Sequence, residues 1–193
     1  MKTIRVLLTI ALLAASSPLL AADLSKTMIL VARPELTDEF YGATVLVVTP
    51  LGGDQHVGFI LNRPTSLTLG KLFPGDAAAL KVPDPVFLGG PVGTELIFAL
   101  VERNDSPGGK SLALMPGLYA TIDANTVDSI IGNEPRHARF VAGFVAWQPG
   151  ELQNEIERGA WFVLSPEPSL VLRQPQGLWE DLVQRSKKAA DAI

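Results

Sequence analysis

Residues 44–61, TVLVVTPLGGDQHVGFIL, decide the fold of this chain. Residues 44–49 and 56–61 are rich in the β-branched and aromatic side chains that favour strands. Residues 50–54, between the two, contain the proline, glycine and aspartate that form turns. Two strand-forming stretches separated by a turn predict a β-hairpin, and with it antiparallel pairing in this part of the chain.

The same pattern predicts a second hairpin later in the chain. Its strands are expected at residues 95–101 and 110–115, with the turn-forming residues 105–109 between them. Further strands are expected at residues 28–32, 139–145 and 161–164. Repeated hairpins of this kind indicate a sheet that is largely antiparallel.

Three helices are predicted among and after the strands. The first covers residues 123–131, with Asp123 capping its first turn and Gly132 ending it. The others cover residues 151–158 and 178–190, where apolar residues recur on one face. Strands with interspersed helices, and no repeat or long linker, predict a single α+β domain.

Residues 1–22 have the pattern of a cleavable secretion signal. A positive start and a mostly apolar run over residues 6–15 are followed by a Ser-Ser-Pro break. The apolar run is too short for a membrane-spanning helix, which needs about 20 residues. Cleavage near Ala22 leaves residues 23–193 as a periplasmic or secreted domain. An uncleaved anchor and a true start codon nearer Met28 are the alternatives.

Composition and charge exclude several classes of function. The chain of 193 residues has 16 basic and 20 acidic residues, and without the signal it keeps 14 basic residues and a net charge of −6. Duplex DNA requires clustered basic side chains, whereas the densest groups here are only the pairs Arg136/Arg139 and Lys187/Lys188. Direct nucleic-acid binding is therefore not expected. The absence of cysteine excludes disulfides, thiolate nucleophiles and cysteine-bound metals.

The sequence contains no arrangement of residues typical of catalysis or metal binding. The two histidines, His56 and His137, lack a second histidine at metal-ligand spacing, and His56 is expected in a solvated turn with Asp54. The glycine patterns of nucleophile elbows, phosphate loops and dinucleotide sites are missing. Trp147 and Trp161 are expected in the core or against a helix. No catalytic residue, metal or cofactor is predicted.

Four segments together resemble the successive signatures of the YqgE/AlgH family. They are residues 28–40 (MILVARPELTDEF), 58–64 (GFILNRP), 86–92 (VFLGGPV) and 142–152 (AGFVAWQPGEL). The resemblance covers residues 25–185 and implies a mostly antiparallel, barrel-like sheet flanked by helices. Members are commonly labelled transcriptional regulators, and the resemblance implies no catalytic residue, cofactor or DNA motif. The chain departs from the family pattern at Glu39, Thr49 and Gln148, and in carrying a secretion signal.

A candidate binding site is predicted where these motifs end. Arg33 and Asn62 each follow a strand, and neighbouring strands would place them beside the turn at Gly89 and Gly90. Exposed N–H groups of such a turn suit a small anion or a peptide backbone. In the alternative interpretation, Asn62 caps a turn, Arg33 bonds loop carbonyls, and the glycines only form a tight turn.

Three functions are compatible with these observations. The first is a noncatalytic binding or interaction domain of the cell envelope, with a small anion or an envelope protein as its partner. The second is an enzyme in which carboxylates or His137 act as an acid–base pair. The third is the transcriptional regulator of the family label, which requires a cytosolic protein with a basic face.

Overall fold

The structure is a computed structural model and describes residues 23–191, so the signal predicted at residues 1–22 lies outside the described residues. The strands are β1 (Met28–Ala32), β2 (Val45–Gly52), β3 (Gln55–Ile60), β4 (Pro64–Thr68), β5 (Pro85–Leu88), β6 (Val92–Glu102), β7 (Ser111–Met115), β8 (Leu118–Thr121), β9 (Ala138–Trp147) and β10 (Trp161–Leu164). The α-helices are α1 (Leu69–Leu72), α2 (Ala124–Asn133), α3 (Glu151–Glu157), α4 (Ser169–Leu172) and α5 (Leu178–Asp191). In this part of the chain, no helix has the length and apolar character needed to cross a membrane.

The strands form one curled sheet, a half-barrel flanked by helices. Eight of them follow the order β10-β1-β2-β3-β9-β6-β8-β7, and β5 joins β4 to β9. The pairings are antiparallel except that β5 runs parallel to β9. Curling brings β7, at one end of the strand order, close to β1, near the other end. The hydroxyl of Thr27, just before β1, donates a hydrogen bond to the carbonyl of Leu114 in β7. The predicted α+β domain with a barrel-like sheet is therefore confirmed.

The hairpin predicted from residues 44–61 forms. β2 and β3 pair antiparallel, with Val47 opposite Phe59. In the turn, Gly53 and Asp54 have φ values of 57° and 62°, which are the positive values that tight hairpin turns require.

The central strands are buried on both faces. In β2, Val47 belongs to a core that includes Leu182 of α5. Its neighbour Val48 points the other way, into a second core that includes Leu152 of α3. A third core lies under α2 and packs against β6 and β9. Helices thus cover the sheet from more than one side.

The second predicted hairpin is wrong in its pairing. β6 and β7 contain the predicted strand residues, but β8 lies between them and pairs with both. The chain turns directly after β7, through Gly117 with a φ of 83°. Closing such a short turn loses less chain entropy than closing the longer loop between β6 and β7, so β8 returns along β7. β6 then pairs with β8 on one side and β9 on the other.

The predicted helices form, but one of them ends later than expected. Asp123 is the predicted cap of α2, since its carboxylate accepts a hydrogen bond from the amide of Thr126 at 3.0 Å. Gly132, predicted to end this helix, lies inside it. The helix continues to Asn133 because the stop comes from Pro135, which disfavours a helical conformation in the residue before it.

His56 is buried, which corrects its prediction as a solvated turn residue. It lies in β3 opposite Trp147 of β9, and only 2% of its surface is exposed. Its Nε2 lies 2.9 Å from the carbonyl oxygen of Leu24. β3 begins at Gln55, directly after the turn, so His56 is part of the sheet, and its contact with Leu24 ties the segment before β1 to it.

Candidate functional site

Asn62 uses its side chain to organise the loop that enters β2. Its Oδ1 accepts a hydrogen bond from the amide of Val45 at 2.9 Å, and its Nδ2 donates to the carbonyl of Ala43 at 2.9 Å. Contacts of this kind are expected if Asn62 caps a turn within the protein, which is the alternative interpretation given above.

Arg33 follows β1 and lies against an aromatic ring. Its guanidinium carbon is 4.3 Å from the ring centre of Phe162. Hydrogen bonds to loop carbonyls are made instead by Arg63, which donates to Phe40 at 3.3 Å and to Gly42 at 2.7 Å. Arg63 therefore holds the loop between β1 and β2 in place.

Gly89 and Gly90 let β5 pass very close to β9. The amide of Gly89 donates to the carbonyl of Ala142 at 2.8 Å, and its carbonyl accepts from the amide of Ile60 at 2.9 Å. A Cβ atom on Gly90 would lie 2.0 Å from the carbonyl carbon of Phe144. Both glycines are buried, and sheet contacts already engage the amide of Gly89. None of the five main cavities within residues 23–191 contains all four predicted residues.

A different site is lined by two of the segments that resemble the family signatures, residues 28–40 and 142–152, together with Tyr41 and residues 154–161, which follow them in the chain. It consists of two cavities of about 400 Å³ and 330 Å³. They adjoin because Tyr41, Glu155 and Arg158 line both of them. We call this site the acidic groove, and its polar and aromatic walls are Glu35, Asp38, Tyr41, Trp147, Glu151, Asn154, Glu155, Arg158 and Trp161.

Glu155 is the best-anchored carboxylate of the acidic groove. Its Oε2 accepts hydrogen bonds from Nε1 of Trp147 at 3.0 Å and from Nε1 of Trp161 at 2.8 Å. The two indoles come from β9 and β10 and are each 3% exposed. A carboxylate held by two buried donors keeps its position when a ligand arrives.

Helix α3 supplies two acidic side chains of the groove, Glu151 and Glu155, from one of its faces. The chain enters it through Gly150, whose φ is 81°. Glu151 accepts a hydrogen bond from the amide of Gln148 at 2.8 Å, which satisfies a donor just before the helix. Glu151 and Glu155 are four residues apart and therefore lie on the same face of α3.

The opposite wall is the loop between β1 and β2. Asp38 Oδ1 accepts hydrogen bonds from the amides of Phe40 at 2.9 Å and Tyr41 at 2.7 Å. This local turn directs the ring of Tyr41 toward Trp161, and the ring centres lie 6.3 Å apart at an edge-to-face angle of 82°. Tyr41 thereby stands between the two cavities.

The electrostatic character of the acidic groove is negative. Burial raises the pKa of Tyr41 above its ordinary value, and the charges of Glu155 and Asp38 raise it further. Four carboxylates line the groove and only one cation, Arg158, opposes them. Aromatic faces beside carboxylates are suited to an ammonium or guanidinium group.

The acidic groove is not among the sites predicted from the sequence. Trp147 and Trp161 are buried as predicted, but the prediction left out the polar ends of their indoles. A usable signal exists in the sequence. Glu155, in helix α3, lies between Trp147, which belongs to the family-like segment 142–152, and Trp161, which follows the helix. Buried tryptophans need an acceptor for their N–H groups, and a nearby carboxylate supplies one. In the range 23–191, no group of three or more histidine and carboxylate side chains is placed to bind a metal.

Comparison with known proteins finds the same family along nearly the whole described chain. A family model described as AlgH-like matches residues 29–190. A UPF0301 protein of Thermobifida fusca is 34% identical over 167 residues, which are 81% of this chain and 84% of that protein. A UPF0301 protein of Methylococcus capsulatus is 32% identical over 162 residues, with 81% and 88% covered.

Two solved structures share the fold. The solution structure of the AlgH protein from Pseudomonas aeruginosa matches with a TM-score of 0.71 and 22% identity, covering 89% of this chain and 91% of that one. The crystal structure of protein DIP2367 from Corynebacterium diphtheriae matches with a TM-score of 0.69 and 23% identity, with 83% and 86% covered. These similarities establish the architecture of the curled sheet and its flanking helices.

Proposed function

This chain belongs to the AlgH-like family, and from that premise we propose that it is an exported, noncatalytic binding domain of the cell envelope. Its acidic groove holds a lysine or arginine side chain of another envelope protein. The observation that carries this proposal is the double hydrogen bond that fixes Glu155 between Trp147 and Trp161.

The walls of the acidic groove favour a cation on an extended segment. Glu155 and Asp38 supply negative charge, while the partly exposed ring of Tyr41 provides a face for cation–π contact. Two adjoining cavities form an elongated site, which suits a chain segment with flanking residues better than a compact small molecule.

Glu155 is better placed for binding than for proton transfer. Its Oε2 already accepts hydrogen bonds from two buried indole N–H groups, which belong to β9 and β10. An oxygen engaged in this way is less available to take a proton from a substrate than a free carboxylate oxygen. The fixed position of Glu155 supports the noncatalytic part of the proposal.

The export part of the proposal rests on residues 1–22. A positive start, an apolar run and small residues at Ala21 and Ala22 form the pattern of a cleavable signal. Fractionation of a Gram-negative host that expresses the full chain, followed by mass and N-terminal analysis, tests it. A periplasmic protein beginning near Asp23 is expected, and an intact cytosolic protein would contradict export.

Binding in the acidic groove can be tested with the fluorescence of Trp147 and Trp161. Purified residues 23–193 are titrated with a short peptide that has one central lysine, and with the same peptide carrying norleucine there. The lysine peptide is expected to change the fluorescence and to bind at least about tenfold more tightly, as a charge pair in a partly dry site allows. Binding should weaken as salt increases.

Glu155→Gln is the decisive variant, because the amide oxygen still accepts the indole hydrogen bonds while the negative charge is lost. Glu95→Gln removes the same charge at an exposed position in β6 and is the matched control. Weakened lysine-peptide binding only in Glu155→Gln supports the proposal. Equal binding of the lysine and norleucine peptides, or full binding by Glu155→Gln, would sink it.

A further inference from the structure

A further cavity, of about 470 Å³, lies beside β5 and β9 and is bordered on another side by the segment that leads into α5. Its walls include the rings of four prolines, at positions 64, 85, 135 and 175. Its polar side chains are Asp84, Arg136, Arg139, Gln174 and Gln176. We call this cavity the Arg139 cleft. It shares no lining residue with the acidic groove.

Arg139 is a buried cation. It is 7% exposed, and its guanidinium carbon lies 4.2 Å from the ring centre of Phe87. It donates to the carbonyl of Leu61 at 2.6 Å and to the carbonyl of Arg173 at 2.6 Å. These two bonds hold the guanidinium in place, but they engage only part of its five donors.

The charge of Arg139 is not neutralised by a salt bridge. The salt bridges formed within residues 23–191 involve other side chains. Burial lowers the pKa of Arg139 to about 10, and the charge of Asp84 opposes this effect. Arg139 therefore stays protonated at neutral pH. A buried charge that is incompletely paired favours binding of an opposite charge from solution.

We propose that the Arg139 cleft binds a small organic acid through its carboxylate. Arg139 offers a planar, pre-positioned donor group of the shape that matches a carboxylate. Arg136, in the short turn between α2 and β9, is exposed at the same cleft and adds a second cation.

The charges and walls of the cleft select this class of anion. Two arginines and Asp84 give the lining a net charge of +1, which one carboxylate neutralises, whereas a phosphate dianion would leave an excess negative charge in the cleft. The proline rings and Phe87 offer apolar contact to the organic part of the ligand, and Gln174 and Gln176 offer amides for its polar groups.

Benzoate is a suitable probe because it combines one carboxylate with an apolar ring. Purified residues 23–193 are titrated with benzoate, benzyl alcohol and inorganic phosphate while amide resonances are followed by NMR. We expect benzoate to shift the resonances of residues 136–140 and 173–176, and the other two probes to leave them unchanged. Comparable shifts with benzyl alcohol would show apolar binding only, and comparable shifts with phosphate would show a general anion site; either result overturns the proposal.

Two variants locate the binding. Arg136→Gln changes an exposed residue and should weaken benzoate binding about fivefold, as expected for loss of one charge-assisted contact. Arg139→Lys keeps the charge but loses the planar donor group, and should weaken binding further. Arg158→Gln, in the acidic groove, makes the same change as Arg136→Gln and should leave benzoate binding unchanged.

The test remains decisive even where Arg139→Lys does not fold, because Arg136→Gln alone reports on the cleft. Benzoate shifts that are equally strong in wild type and Arg136→Gln would contradict the assignment. Binding of the lysine peptide is measured in the same variants, so a failure of the acidic groove and a failure of the Arg139 cleft are seen separately.

Discussion

The indole Nε1 of Trp161 donates a hydrogen bond of 2.8 Å to Oε2 of Glu155. The same oxygen accepts a hydrogen bond of 3.0 Å from Nε1 of Trp147. One carboxylate of α3 therefore fastens the helix to both β9 and β10. Because the indoles are buried, Glu155 contributes to folding as an acceptor and to the acidic groove as a charge.

Glu155→Leu should lower the free energy of unfolding by about 2–4 kcal/mol, since two buried indole N–H groups lose their acceptor. Glu155→Gln should lower it by less than about 1.5 kcal/mol, because an amide oxygen still accepts both hydrogen bonds. Urea denaturation followed by circular dichroism measures the difference. Equal destabilisation by the two substitutions would show that the hydrogen bonds to Glu155 contribute little.

Gly90→Ala should lower the free energy of unfolding by at least about 3 kcal/mol, because the new methyl group collides with the backbone of β9. Gly132→Ala is the matched control. No atom lies within 4 Å of the position of its Cβ, and alanine in a helix is favoured over glycine by up to about 1 kcal/mol. The melting temperature should therefore fall in Gly90→Ala and rise in Gly132→Ala. A similar decrease in both variants would contradict the close crossing of β5 and β9.

Local patterns in the sequence predict elements well where the residues that decide them are neighbours. The hairpin at residues 44–61 and the strand at Trp161–Leu164 depend on runs of β-branched and aromatic side chains and on turn residues close by. β4 and β5 escape prediction because each is short and begins with proline, which is a weak strand signal. The place of β8 between β6 and β7 is a non-local choice of partner that local composition does not encode.

The acidic groove could be predicted only in part for the same reason. Tyr41, Trp147 and Glu155 lie far apart in the sequence or on different elements, and the fold alone brings their polar atoms together. The family-like segments indicate where residues of interest lie. They do not reveal that Asn62 and Gly89 serve the loop and the sheet, because those partners are set by strand pairing.

Asn62→Ala should lower the free energy of unfolding by about 1–3 kcal/mol, since the buried amide of Val45 loses its acceptor. Asn154→Ala, at an exposed position in α3, should change it little or raise it slightly, because alanine is the better helix former. Chemical denaturation of both variants measures the contrast. A loss in Asn154→Ala as large as in Asn62→Ala would contradict a specific role for Asn62 in the loop.

Tyr41 should make the stability of the protein fall in alkali. Its pKa is raised in the folded state, so between the ordinary tyrosine value of about 10 and the raised value the unfolded chain has lost a proton that the folded protein still binds. The contribution is fully present below about pH 10 and is lost as the pH rises through the raised pKa. Tyr41→Phe should show a shallower decline of the unfolding free energy above about pH 10, and a decline as steep as in the wild type would contradict a raised pKa of Tyr41.

The same titration reports on the acidic groove. A cation bound beside Tyr41 stabilises the tyrosinate and offsets the charges of Glu155 and Asp38, which help to raise its pKa. The probe for this titration carries arginine in place of the lysine, because a guanidinium stays charged above pH 10 whereas an ammonium does not. A saturating arginine peptide should therefore shift the ionisation of Tyr41, followed by tyrosinate absorbance, to lower pH, and the norleucine peptide should not. An unchanged midpoint in the presence of bound arginine peptide would place the cation elsewhere on the protein, away from Tyr41 and Glu155.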